Sequence, residues 1–96
     1  MLDLRPCCEL CAKDLPPAAT DARICSFECT FCADCVENIL HNVCPNCGGG
    51  LYPRPVRPQA MLTTRPPSTE RIVKPLDPVK HAALLAGYSD VPPERR

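Results

Sequence analysis

The sequence predicts a small zinc-stabilised α+β domain with a short β-hairpin, one helix and an extended Pro-rich C-terminal tail. Three observations carry the prediction. First, eight cysteines fall in four close pairs: Cys8/Cys11, Cys25/Cys29, Cys32/Cys35 and Cys44/Cys47. Second, the chain has 96 residues and no Trp, and its cysteine-rich part is only about fifty residues long, a size at which apolar burial alone is marginal. Third, nine of the thirteen prolines lie beyond Gly50, so the composition divides the chain into a two-metal domain at residues 1–50 and a Pro/Arg-rich tail at 51–96.

A two-residue gap between cysteines lets a tight turn aim both thiolates at one tetrahedral ion. Four pairs supply the ligands of two closed sites. Disulfides are the rival way to staple so small a chain. Met1–Pro6 lacks the apolar segment of a secretory signal, and no apolar run approaches the roughly 18 residues of a membrane helix. A cytoplasmic location is therefore expected, where thiols stay reduced and take metal. Nine cysteines is also an odd number, which suits metal with one spare thiol better than a disulfide framework.

Taken in order, Met1–Pro6 is a short lead-in carrying Leu2 and Leu4. Cys7 and Cys8 are adjacent. Cys8 has the two-residue spacing to Cys11 and is assigned as the ligand, with Cys7 the spare, although the three-residue gap at Cys25/Cys29 leaves Cys7 open as a replacement. Residues 12–21 form a Pro-containing loop. The alternation in Ala22-Arg23-Ile24-Cys25-Ser26-Phe27 predicts a strand, with Thr30-Phe31 its return. Asp34 and Glu37 have capping-box spacing, and Val36, Ile39, Leu40 and Val43 recur as one apolar stripe, so a core-facing helix follows. Gly48-Gly49-Gly50 closes the domain. Tyr52-Pro53-Arg54-Pro55-Val56-Arg57-Pro58 should be extended and polyproline-like. A last helix is expected near 78–86, with Asp77 as N-cap, Pro78 in the first position and Gly87 as stop. It is too short to stand alone in water.

Four pairs combine into two sites in three ways: sequential, cross-brace or nested. The run C-x2-C-x13-C-x3-C-x2-C-x2-C-x8-C-P-x-C resembles the spacing of RING-type domains. That resemblance implies a RING-like, treble-clef cross-brace. Site 1 would then be Cys8, Cys11, Cys32 and Cys35, and site 2 Cys25, Cys29, Cys44 and Cys47. It also makes Leu10 and Pro45 candidates for a partner-facing rim. The stretches LRPCCELC, ARICSFECTFCADCVENIL, CPNCGGG and VPPERR further resemble the small bacterial family called domain of unknown function 1272. Membership implies a bacterial zinc-binding protein without implying an activity.

A site of four thiolates has no open coordination position, so two zinc ions held this way would be structural. No phosphate-cradling glycine loop, H-x-E motif or nucleophilic triad is present. The expectation is a protein without enzymatic activity. His41 is placed on the last turn of the core helix and His81 on a face of the short one.

The net charge is zero, but residues 1–50 carry three basic against seven acidic side chains, and residues 51–96 eight against four. Thiolate-bound zinc would make the core more acidic still. The reading preferred from the sequence is a protein–protein interaction module, with Leu10, Pro45, Arg54 and Arg57 as candidate contacts. Phosphate binding by the tail's Arg54, Arg57, Arg65, Arg71 and Lys74, with Tyr52 to stack, is an alternative. A redox-responsive zinc protein with Cys7 as the reactive thiol is another. Ubiquitin ligation by analogy with RING domains stands behind these, since fold does not give function. No membrane or small-molecule partner is expected.

Overall fold

The hairpin forms where the alternation places it. In the computed structural model, which describes residues 1–96, β1 (Ala22–Ile24) pairs antiparallel with β2 (Thr30–Cys32) in the register Ala22–Cys32, Arg23–Phe31 and Ile24–Thr30. Every residue of β2 is buried. Glu28 takes a left-handed conformation, φ 63°, in the connecting turn. Cys25 and Cys29 therefore stand at the two ends of the turn, with the Cys25 N–H donating to the Cys29 carbonyl at 3.2 Å.

A third strand comes from beyond the expected domain boundary. β3 (Tyr52–Pro53) pairs antiparallel with the other edge of β1, giving the order β2-β1-β3. Proline is tolerated there because β3 is an edge strand. The segment expected to be polyproline-like thus begins as sheet.

The core helix is short and changes pitch. α1 (Ala33–Cys35) runs directly into a wide π-type turn at Val36–Leu40, which ends at left-handed His41 and Asn42 with φ 50° and 60°. Its N-cap residue is Cys32 and no side chain caps it, so Asp34 lies inside the helix and the expected capping box does not form. The wider pitch also rotates the apolar stripe. Val36, Leu40 and Val43 are buried, whereas Ile39 faces solvent. His41 ends the turn instead of lying on it.

The core gathers Leu15, Ala22, Phe31, Val36, Leu40 and Leu51 around cysteines from all four pairs. The rest of the tail then lies back over this core. α2 (Pro78–Tyr88) starts as expected, with the Asp77 carboxylate accepting from the Val79 and Lys80 N–H groups at 3.1 Å. It does not stop at Gly87, however. It continues to Tyr88 because the Leu84 and Tyr88 side chains, one turn apart, pack over Gly48. Two 3-10 turns, Gln59–Met61 and Pro93–Arg95, complete the element list. No helix is long and apolar enough to cross a membrane.

Candidate metal centre

Two loops of the chain are built alike. In Cys8–Cys11 the Ala12 N–H donates to the Cys8 carbonyl at 3.0 Å, and in Cys44–Cys47 the Gly48 N–H donates to the Cys44 carbonyl at 2.8 Å. The residue after each second cysteine is left-handed, Ala12 at φ 64° and Gly48 at φ 78°. This is the tight turn that a two-residue cysteine gap predicts. Inside it, backbone N–H groups turn toward sulfur. Leu10 and Cys11 donate to Cys8 Sγ at 3.4 and 3.5 Å, and Gly49 donates to Cys47 Sγ at 3.4 Å.

The fold brings the first pair to the third and the second to the fourth. Cys8, Cys11, Cys32 and Cys35 have sulfur atoms all within 4.8 Å of one another, and Cys25, Cys44 and Cys47 form a second such group. Cys29 stands outside the second group, at the other end of the hairpin turn from Cys25. Its Sγ accepts from Asn46 Nδ2 at 3.4 Å. The two groups interleave along the chain. Neither His41 nor His81 joins them.

The donor set suits a metal. Cys11 Sγ and Cys32 Sγ are 3.7 Å apart, close to the roughly 3.8 Å edge of a tetrahedron with Zn–S bonds of about 2.3 Å. A disulfide would need about 2.05 Å, and all nine cysteines are free. Burial pushes Cys8 up, but N–H groups of Cys11, Cys32 and Leu10 outweigh it and hold the thiol below its usual value. Burial raises Cys32 and Cys35. In the second group the neighbouring Cys29 and Cys44 side chains hold Cys25 down to about 3, while Cys25 and Cys29 push Cys44 up. Each group thus has one thiol held below its usual value beside others pushed above it. A bound cation would favour the thiolate form of the thiols that burial raises, Cys32 and Cys35. Both groups could hold a metal ion.

The family model for a protein of unknown function, DUF1272, matches residues 1–57. The chain belongs to the DUF1272 family. An uncharacterized protein of Rhizobium meliloti (strain 1021) is 61% identical over 75 residues, which is 78% of this chain and 89% of that relative. No solved structure matches the chain. The DUF1272 match contains both sulfur groups, β3 and Arg54, and stops at Arg57.

The other candidate residues of this DUF1272 chain are placed unevenly. Leu10 and Pro45 do meet. Together with Phe31, Leu76, Lys74 and Lys80 they line a groove of about 240 Å³ between the two cysteine turns and the tail. Arg54 lies elsewhere, only 5% exposed. Its guanidinium donates to the Arg5, Leu15 and Pro16 carbonyls at 2.9 to 3.1 Å, which removes it from any outer surface. Arg57 donates to the Leu2 and Arg65 carbonyls at 2.7 Å. Arg71 pairs with Asp14 and also donates to the Ala12 carbonyl. Arg65 donates to the Thr64 carbonyl. Tyr52 remains exposed. Cys7 lies outside both sulfur groups and is 1% exposed, with its Sγ 3.9 Å from the Ile72 carbonyl.

Three structural residues escaped the sequence reading. Glu9 is 3% exposed and accepts from Arg5 and from the Thr30 N–H, tying the first cysteine turn to β2. His81 is 4% exposed with Nε2 3.1 Å from the Val43 carbonyl. Arg96 donates to the Asn42, Gly48 and Val91 carbonyls. Each has a partner 21 or more residues away, besides the local bonds of Glu9 to Arg5 and of Arg96 to Val91, and no local pattern announces those distant partners.

Proposed function

We propose that this DUF1272 protein binds two zinc ions in a RING-like, treble-clef cross-brace and serves in the cytoplasm as a protein–protein interaction module without enzymatic activity. The observation that carries the reading is the interleaved sulfur arrangement, whose 3.7 Å Cys11–Cys32 separation fits a tetrathiolate zinc site. Cys29 would complete the second site from the far end of the hairpin turn, where its carbonyl accepts from the Cys25 N–H. With four thiolates on each ion, no position is left for substrate, so the metal folds the chain and does not activate water.

The groove supports the interaction role. Leu10, Phe31, Pro45 and Leu76 give it apolar walls, and Lys74 and Lys80 stand at its edge with no salt bridge of their own. A partner segment that inserts an apolar side chain there would meet both cysteine turns at once. Nucleic-acid binding is less favoured, because Arg54, Arg57 and Arg71 are engaged within the chain.

Native mass spectrometry of chelator-free protein, with a free-thiol count, tests the metal. Two zinc ions and one free thiol are expected, and a single ion would sink the two-site reading. For the interaction, a photo-crosslinker at Asn46 should trap a partner that Leu10→Asp releases. Equal capture by both forms would remove the groove from the account.

A further inference from the structure

Of the nine cysteines, eight are buried or half-buried and Cys11 is exposed. Its sulfur differs from its neighbours in a second way. Cys8, Cys29 and Cys47 each accept at least one N–H hydrogen bond on sulfur, whereas the contact of Cys11 Sγ is with another sulfur, Cys32, at 3.7 Å. An N–H bond draws electron density from a thiolate and quenches it as a nucleophile, so the sulfur without one is the more reactive. Cys32, its neighbour, is only 2% exposed and sits at the inner end of β2, out of reach of a solute in solvent. Cys7, the spare thiol, is covered by the tail at Ile72.

We infer that Cys11 is a modification site for hydroperoxides, with Cys32 the resolving thiol, and that their reaction releases the zinc of the first site. This rests on the reading that Cys8, Cys11, Cys32 and Cys35 hold zinc. Metal coordination keeps Cys11 as a thiolate, the reactive form of the residue. The Cys11 thiolate attacks one oxygen of hydrogen peroxide. The O–O bond breaks, hydroxide leaves and the sulfur becomes a sulfenic acid. The Cys32 thiolate then attacks that sulfur, an S–S bond forms, the S–O bond breaks and a second hydroxide leaves. The two thiolates have together lost two electrons, peroxide has gained them, and solvent protonates both hydroxides. The zinc ion keeps its charge but loses two of its four ligands. Approach of the sulfurs from 3.7 Å to a bond of about 2.05 Å is taken up at Cys11, the exposed end of the Cys8–Cys11 turn. The second site, whose only partly exposed sulfur is Cys47, is spared.

The test is substoichiometric hydrogen peroxide on the zinc-loaded chain, followed by native mass spectrometry and peptide mapping. The expected result is conversion of the two-zinc form to a one-zinc form, with a Cys11–Cys32 disulfide as the main new linkage. Cys11→His keeps a zinc donor but removes the nucleophile, and it should lose zinc at least tenfold more slowly. First oxidation at Cys47 or Cys7, or an unchanged rate in Cys11→His, would overturn the inference. Mapping of the unaltered chain decides the matter even if the histidine form loads poorly. Absence of zinc before peroxide is added is a different result, and it would overturn the underlying metal reading instead.

Discussion

Arg54 illustrates how one side chain can serve as a strut. Its fork spans from the lead-in at Arg5 to the loop at Leu15 and Pro16, satisfying three carbonyls that would otherwise be poorly hydrated. Burial pushes the guanidinium below its usual value, with Asp21 as the opposing charge, and Nε remains without a partner. A group that stays charged under such cover is held by its hydrogen bonds. Arg54→Ala should lower stability by about 3 kcal/mol, because it strands buried acceptors. Arg54→Lys should recover little of this, since an ammonium on a flexible stem cannot reproduce the planar fork. Denaturant unfolding of the metal-loaded forms reads both values. A loss for the alanine form under about 0.5 kcal/mol would show the strut to be dispensable.

The docking of α2 depends on the glycine that ends the second cysteine turn. Gly48 is left-handed at φ 78°, and a Cβ there would sit 2.6 Å from Tyr88 Cε2. Gly48→Ala therefore carries a backbone strain of about 1 kcal/mol and also pushes the Tyr88 ring off its seat. α2 is an 11-residue helix that cannot hold itself together in water, so its amides report the contact directly. Hydrogen exchange across His81–Tyr88 should quicken at least tenfold in this variant while both metal ions are retained. Unchanged exchange would mean that His81 and Arg96 hold the helix without help from the ring. Its other anchor, His81 to the Val43 carbonyl, reaches the residue just before Cys44. Helix and cysteine turn are thus one packed unit.

Across the whole molecule, the proposed metal binding would be coupled to proton release. Cys32, Cys35 and Cys44 lie above the ordinary thiol value, so below about pH 9 each must give up a proton when the ion binds. Cys25 is already a thiolate, since its value is held near 3, and it contributes no proton above that pH. The sign follows: affinity rises with pH and falls on acidification, by roughly tenfold per pH unit for every proton released. Chelator competition at pH 6 and pH 8 should find the metal held far more weakly at pH 6. A pH-independent affinity would exclude thiolate ligation. Removing the metal should also loosen the tail, because its contacts at Glu9, Ala12, Val43 and Gly48 lie on or beside the cysteine turns.

Spacing alone made the cysteine turns, the hairpin, the start of α2 and its Asp77 cap legible, because each is decided within a few neighbouring residues. A pair two residues apart can close a tight turn whatever surrounds it, and Asp-Pro can open a helix on its own. Spacing could not choose among three ways of joining the pairs. That required the family likeness first and then the packing that sets Cys32 beside Cys11. The fate of the tail was invisible for the same reason. Residues rich in Pro and Arg read as solvated, extended chain, since their composition does not reveal that carbonyls 38 to 54 residues away await their donors. Ile39 was placed on the wrong side because a π-type turn shifts the face that a regular helix would present. Local chemistry determines how each cysteine turn closes. Only the tertiary structure decides which turns bring their sulfurs together, which sulfur meets solvent and what lies over the rest.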